Sequence, residues 1–239
     1  MAQYLYGKNV VKQLLYDKSD IQKLYLAIKD SQIEQLALKN HLKIERVDKA
    51  FLDKVCKSTN HQGVAVLKNE YKEYTVEQIV ESAKGHNGLI VMLDELNDPH
   101  NLGAILRTCD CVGADGVIIK KNNAVGLNST VAKVSVGAIN TVKVASVTNL
   151  TKTIDYLKKQ GYWVYGTGFE KAIDYREPDY DHNVVVVIGN EGKGISSLLK
   201  KTCDEMLTIP MVGHVQSLNA SVAASLLIYQ GFNSRHPLK

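Results

Sequence analysis

From Gly88 onward the chain is dominated by short, unbroken aliphatic runs. Residues 89–93 read LIVML and residues 184–188 read VVVVI, with weaker runs at 117–119, 142–145, 163–165 and 207–209. A strand with one face in water alternates apolar and polar residues; a run with no polar break is apolar on both faces. Helical patterns fall between these runs, at 101–112, 129–137, 150–160, 196–203 and 218–232. Strands alternating with helices predict an α/β architecture around a parallel sheet covered on both sides. Such sheets bind ligands at the carboxyl ends of their strands. The chemistry is therefore expected in the loops that follow the runs.

The preceding text differs. Residues 1–68 read as a small α/β unit, with strands at 23–28, 43–47 and 64–67 and helical patterns at 9–16, 31–40 and 48–57. Residues 69–87, polar and charged at both ends around a weak apolar helix, are expected to be a linker, followed by a larger domain at 88–239. With 45% hydrophobic and 23% charged residues, the composition excludes a disordered chain. The net charge of +4 permits a polyanionic partner without demanding one. No run approaches the ~20 apolar residues of a membrane span, and the first residues lack the pattern of a secretory signal, so a cytoplasmic protein is expected. Cys56, Cys109, Cys111 and Cys203 are dispersed, without a CxxC pair or zinc-finger spacing, and read as reduced, packed thiols.

Three strand exits combine Gly with Asn, Glu, Ser or Arg. The first runs from Asp94 to Arg107. Asn101 suits a helix cap, and Gly103 and Arg107 stand one turn apart, so that Gly103 admits a close neighbour while Arg107 aims a permanent cation at a cleft. A plain cap and a structural ion pair account for the same residues. The second exit, Gly189-Asn-Glu-Gly-Lys-Gly194, lacks both GxxxxGK[ST] and GxGxxG, and Glu191 argues against a phosphate cradle. In the third, Ser217 suits an N-cap and Asn219 falls in the first turn, where Asn is a poor helix former without another use. His100 and His214 are general bases by type, but no G-x-S-x-G accompanies them. Tyr4, Tyr6, Tyr71 and Tyr74, near Lys8, Lys68 and Lys72, are candidates for stacking on nucleic acid or for an ordinary surface.

Taken together, 97–107 (NDPHNLGAILR), 187–195 (VIGNEGKGI) and the stretch from Ile209-Pro-Met to Ser217-Leu-Asn-Ala-Ser-Val-Ala223 resemble, in order and spacing, the three motifs of the SpoU (TrmH-like) RNA 2′-O-ribose methyltransferases of the SPOUT superfamily. The likeness covers about residues 88–235. More weakly, residues 1–68 resemble the L30e-like RNA-binding domain of the bacterial members that methylate a guanosine of 23S rRNA, with His61-Gln-Gly-Val-Ala65 as its closing segment.

This resemblance implies a deep trefoil knot formed by about residues 165–232, and S-adenosylmethionine as cofactor, held mainly by backbone groups at Thr167, Gly168, Gly189, Ile209 and Leu218. Gly168 and Gly189 would leave no Cβ in the way of the cofactor. Arg107 is implied as the central catalytic residue, with Asn101, Glu191, Ser217 and Asn219 positioning it and the ribose; no metal is needed. A guanidinium does not normally give up its proton, so Arg107 is expected to pair with a substrate phosphate and stabilise the developing alkoxide. The resemblance further implies a homodimer, for which Ala220, Ala224 and Leu227 on the last helix are the candidate contact. The expected partner is ribosomal RNA, with no membrane. The alternatives are a tRNA guanosine-18 enzyme, a non-catalytic RNA-binding module, and a nicotinamide-dependent enzyme disfavoured by the missing GxGxxG.

Overall fold

The computed structural model describes residues 2–69, 71–190, 192–215 and 217–237. The chain divides into two compact units, one ending at Tyr71 and one starting at Lys72.

The first unit contains β1 (Ala2–Tyr6), α1 (Lys8–Tyr16), β2 (Ile21–Leu26), α2 (Ser31–Lys39), β3 (Ile44–Arg46), α3 (Lys49–Cys56) and β4 (Val64–Asn69). The strand order is β1-β4-β2-β3, with β4 antiparallel to β1 and β2, and β3 parallel to β2. Strand alternation sorts the side chains. Leu24, Leu26, Val64 and Val66 face Val11, Leu15, Ile33 and Leu36 of α1 and α2, whereas Tyr25 and Ala65 face Leu52 of α3. Asp30 and Asp48 cap α2 and α3 by accepting from Ile33 N and Phe51 N. Buried His61 holds the turn into β4. Its Nδ1 accepts from Gly63 N at 2.9 Å, which leaves Nε2 to donate to Asp53 Oδ1 at 2.9 Å. Strand β1 was not expected; its AQYLY has Leu5 as its one large aliphatic residue and is stabilised by register with β4, a long-range partner. Tyr4 is committed to this unit, its ring centroid 5.9 Å from that of Tyr25.

The second unit contains α4 (Val76–Ser82), β5 (Leu89–Leu93), α5 (Pro99–Val112), β6 (Gly116–Lys120), α6 (Ser129–Val134), β7 (Val144–Val147), α7 (Leu150–Lys159), β8 (Trp163–Thr167), β9 (Ile173–Asp174), β10 (Val184–Ile188), α8 (Ser197–Lys200), β11 (Glu205–Thr208) and α9 (Ala220–Arg235), with a 3₁₀ turn at Ala138–Asn140. Its seven strands are parallel, in the order β7-β6-β5-β10-β8-β11-β9. Strands β5 and β10 lie side by side and are buried along their whole length, as unbroken aliphatic runs require. Counted from β5, and leaving out the two-residue β9, the order is 3-2-1-5-4-6. It departs from the dinucleotide-binding order 3-2-1-4-5-6 because β10 is inserted between β5 and β8.

Residues 69–87 are not a bare tether. Thr75 and Gln78 form a capping box at the start of α4, and Val76, Ile79 and Ala83 enter the core of the second unit. The i, i+3, i+7 spacing of these three residues supplies the apolar stripe that the flanking charges obscure.

Candidate donor site at the carboxyl edge of the sheet

At the carboxyl edge the exits of β8, β10 and β11 and the start of α9 enclose a cavity of about 400 Å³. Its walls include Thr167, Gly168, Phe169, Ile188, Gly189, Ile195, Leu207, Ile209, Ser217 and Leu218. All five expected cofactor residues therefore line one space, together with Ser217. Its volume falls within the usual range of small-molecule sites, and its lining mixes aliphatic side chains with Asn190, Lys193, Lys200 and Thr208.

The loop after β10 has an internal reason for its glycines. Asn190 N donates to Gly194 O at 3.2 Å and Gly194 N donates back to Asn190 O at 2.8 Å. This doubling-back brings the chain against Gly189, where a Cβ would stand 2.2 Å from the Gly194 carbonyl carbon. The expectation that Gly189 leaves room for a ligand is thus corrected: the space beside it is filled by its own loop. The Gly168 Cβ position is likewise met by Met206. Two contacts tie this loop to the exit of β5. Asn190 Nδ2 donates to Glu95 O at 3.0 Å, and Ser196 N donates to the buried Asp94 carboxylate at 2.8 Å. Sequence reading passed over Asp94 and Asn190, although an Asp at a strand exit beside a glycine loop is a signal for such a tie. Glu191 lies outside the described residues.

Helix α5 starts at Pro99, two residues earlier than expected. Asp98 is its N-cap, accepting from His100 N at 2.8 Å, and Pro99 occupies the first helical position, where no N–H is needed. Asn101 is not the cap; it is buried in the first turn. Its Oδ1 accepts from Asn219 Nδ2 at 3.0 Å. Asn219, rather than Ser217, caps α9: its Oδ1 accepts from Ser221 N at 2.9 Å and from Ser221 Oγ at 2.6 Å. One amide therefore caps α9 and fastens it to α5. A second tie, Thr108 Oγ1 to Ser225 Oγ at 2.9 Å, lies farther along the same pair of helices.

Arg107 is exposed on α5, has no hydrogen-bond or ion-pair partner among the described residues, and is not among the residues lining the cavity. Gly103 does not share its surroundings, since its Cβ position is occupied by Val134 of α6 at 2.6 Å. His100 and His214 are exposed and also outside the lining. The structure thus brings Asn101 to Asn219, and gathers Ser217 with the five cofactor candidates, but leaves Arg107 outside that space.

The small-residue face of α9 is corrected as a subunit contact. Ala220, Ala224 and Leu227 are buried within the chain itself. On the opposite face Val222, Leu226 and Tyr229 remain exposed, as does Leu218 just before the helix. Burial pushes the Cys203 thiol up to about 12, with Asp204 and Asp94 adding to the shift and Lys158 opposing it. Among the described residues no cluster of His, Cys, Asp and Glu could hold a metal ion, and no helix is long and apolar enough to cross a membrane.

A parallel sheet with an inserted central strand, and a cavity made where its strands end, define a class that comparison with known proteins resolves. Residues 88–229 match the SpoU rRNA Methylase family, and residues 4–74 match a module described as RNA 2′-O ribose methyltransferase substrate binding. The chain belongs to the SpoU methylase family. It is 47% identical, over 96% of its length and 95% of the relative's, to a Staphylococcus haemolyticus protein whose name places it among TrmH family tRNA/rRNA methyltransferases. Among solved structures it resembles an AdoMet-bound rRNA methyltransferase from Sinorhizobium meliloti, with a TM-score of 0.63, 24% identity and coverage of 100% of this chain and 88% of that one. It also resembles the A. aeolicus TrmH/SpoU tRNA modifying enzyme, with a TM-score of 0.59, 29% identity and coverage of 67% and 82%.

Proposed function

We propose that the protein transfers a methyl group from S-adenosylmethionine to the ribose 2′-hydroxyl of a guanosine in 23S rRNA. The observation that carries this reading is the convergence of Thr167, Gly168, Gly189, Ile209, Ser217 and Leu218 on one cavity in a chain of the SpoU family. The cavity suits the donor chemically. Ile188, Ile195, Leu207, Ile209 and Leu218 give an apolar wall for an adenosine, and Lys193 and Lys200 give cations for a carboxylate. When bound, the donor supplies a methyl group on a positively charged sulfur.

The chain's own residues orient and polarise. Arg107 pairs with a phosphate of the RNA and stabilises the negative charge on the 2′-oxygen as it takes the methyl group; the hydroxyl proton passes to solvent water and the neutral thioether S-adenosylhomocysteine leaves. Asn101 and Asn219 hold the starts of α5 and α9 in register and Ser217 lines the donor cavity; the family resemblance adds Glu191 to the residues that position the ribose. Apolar walls keep water from the reacting atoms, so that attack proceeds in a preorganised space.

Because Arg107 is not among the residues lining its own subunit's cavity, the site is read as completed in a homodimer. The exposed stripe of Val222, Leu226 and Tyr229 on α9 is the proposed contact. The insertion of β10 between β5 and β8, with α9 returning to pack on α5, supports reading residues 165–232 as a trefoil knot. The first unit, of L30e-like α/β type, would hold RNA in the cytoplasm, and the match to a substrate-binding module over residues 4–74 supports that role.

The test is incubation with radiolabelled donor and separate rRNA and tRNA pools, followed by mapping of 2′-O-methyl sites. Label at one 23S rRNA guanosine is expected. Label confined to tRNA would move the target, and none in either pool, with RNA still bound, would leave a binding module.

A further inference from the structure

We propose that Phe169 is a stacking platform for a purine ring at the mouth of the cavity. The inference rests on the donor reading above and deepens it. The chain has three phenylalanines. Phe51 packs on Tyr25 with centroids 5.3 Å apart, and Phe232 stacks on His236 at 4.2 Å. Phe169 has no ring partner among the described residues and is 68% exposed, yet it lines the cavity beside Gly168.

A single exposed aliphatic residue on a convex surface needs no explanation. An aromatic ring left in water in the wall of a concave site is different, because the burial that makes such a ring stabilising is missing until a ligand arrives. Backbone groups and aliphatic side chains can enclose a purine at its edges and one face. A phenyl ring adds a second flat surface, and stacking tolerates any base because every base presents a π-face. Thr167 cannot serve as a competing polar contact through its hydroxyl proton, which is donated to Val187 O at 3.1 Å. Two purines reach this mouth in the proposed reaction, the adenine of the donor and the guanine of the substrate, and the test separates them.

Titration calorimetry with S-adenosylhomocysteine measures the donor arm without RNA. The KM for rRNA at saturating donor measures the substrate arm. Phe169→Ala is expected to raise the Kd for S-adenosylhomocysteine roughly 10- to 100-fold, the size of stacking losses on alanine substitution. Phe169→Trp is expected to restore binding, and Phe169→Leu, apolar but without a π-face, to restore it only in part. A KM rise of that size with Kd unchanged would assign the ring to the substrate guanine. If Phe169→Ala alters neither constant, or Phe169→Leu equals wild type, the platform is overturned. Wild-type protein that takes up no S-adenosylhomocysteine would overturn the donor reading, and the platform with it. The melting temperature of each variant should match wild type, since so exposed a ring contributes little to the fold.

Discussion

The two edges of the parallel sheet share one backbone pattern and differ in how its ends are finished. At the amino edge the polar groups close on one another. Arg235, the last residue of α9, donates to four carbonyls: Asn87 O at 2.6 Å, His182 O at 2.8 Å, Tyr180 O at 3.0 Å and Gly88 O at 3.1 Å. Asp115 accepts from Leu89 N at 2.8 Å, and Asn183 accepts from Gly88 N at 2.7 Å. At the carboxyl edge the loops are tied to each other, but Phe169 and Leu218 are left exposed, and so is Arg107, two turns along α5 from that edge. Helix α9 is fastened at both edges, by Asn219 at one and Arg235 at the other. The contrast separates groups that hold the fold from groups held ready for something outside it. Damage at the amino edge should cost stability, and damage at the carboxyl edge should cost chemistry.

The largest expected effect removes the exposed, unpartnered cation of α5 without touching the fold. Arg107→Ala should lower methyl transfer by roughly 10²- to 10³-fold, the scale of a lost oxyanion donor, while calorimetry finds donor affinity within about twofold of wild type. Retained turnover would remove Arg107 from catalysis. The next effect is the converse. Arg235→Ala should cost about 2–4 kcal/mol, because charge-assisted bonds to partly buried carbonyls are lost together. That corresponds to a fall in melting temperature of roughly 2–4 °C per kcal/mol in a chain of this size. Donor affinity of the folded fraction should stay unchanged. Arg235→Lys should recover only part, since an ammonium cannot span the guanidinium's fork. A melting temperature within a degree of wild type for Arg235→Ala would show that the amino edge is not a clamp.

The same contrast explains what could be read in advance. Strands β5 and β10 were legible over their whole length because unbroken aliphatic runs have one physical meaning, burial on both faces. The loops were legible as a group because Gly, Asn and Ser cluster where strands end. What stayed hidden depends on partners distant in sequence. Strand β1 needs β4, and the two-residue β9 needs β11. The helix caps were misplaced by two or three residues because Asp98, Asn101, Ser217 and Asn219 are all capping types, and only the tertiary bond between Asn101 and Asn219 decides which one caps. The roles of the loop glycines were invisible for the same reason: the obstacle beside Gly189 is Gly194, placed there by the fold of the loop. The face of α9 that turns inward could not be chosen either, because the helix is apolar on both sides.

The smallest predicted effect asks whether Asn219 belongs with the fold or with the chemistry. Its Oδ1 caps α9, and its Nδ2 reaches Asn101. Asn219→Ala removes both contacts and should cost about 1 kcal/mol through the lost cap, with activity also reduced. Asn219→Asp keeps an oxygen for the cap, and a carboxylate at a helix N-terminus is favoured there by the dipole. It has no N–H to give to Asn101, so it leaves the Oδ1 of a buried amide facing an acceptor. The restored cap should therefore keep the melting temperature of Asn219→Asp at or above that of Asn219→Ala, the cap offsetting part of the buried acceptor's cost, while methyl transfer falls as it does in Asn219→Ala. If activity instead follows stability, so that Asn219→Asp is as active as wild type, the bond to Asn101 is only a structural fastening of α9. The carboxyl edge would then be functional through its exposed side chains alone.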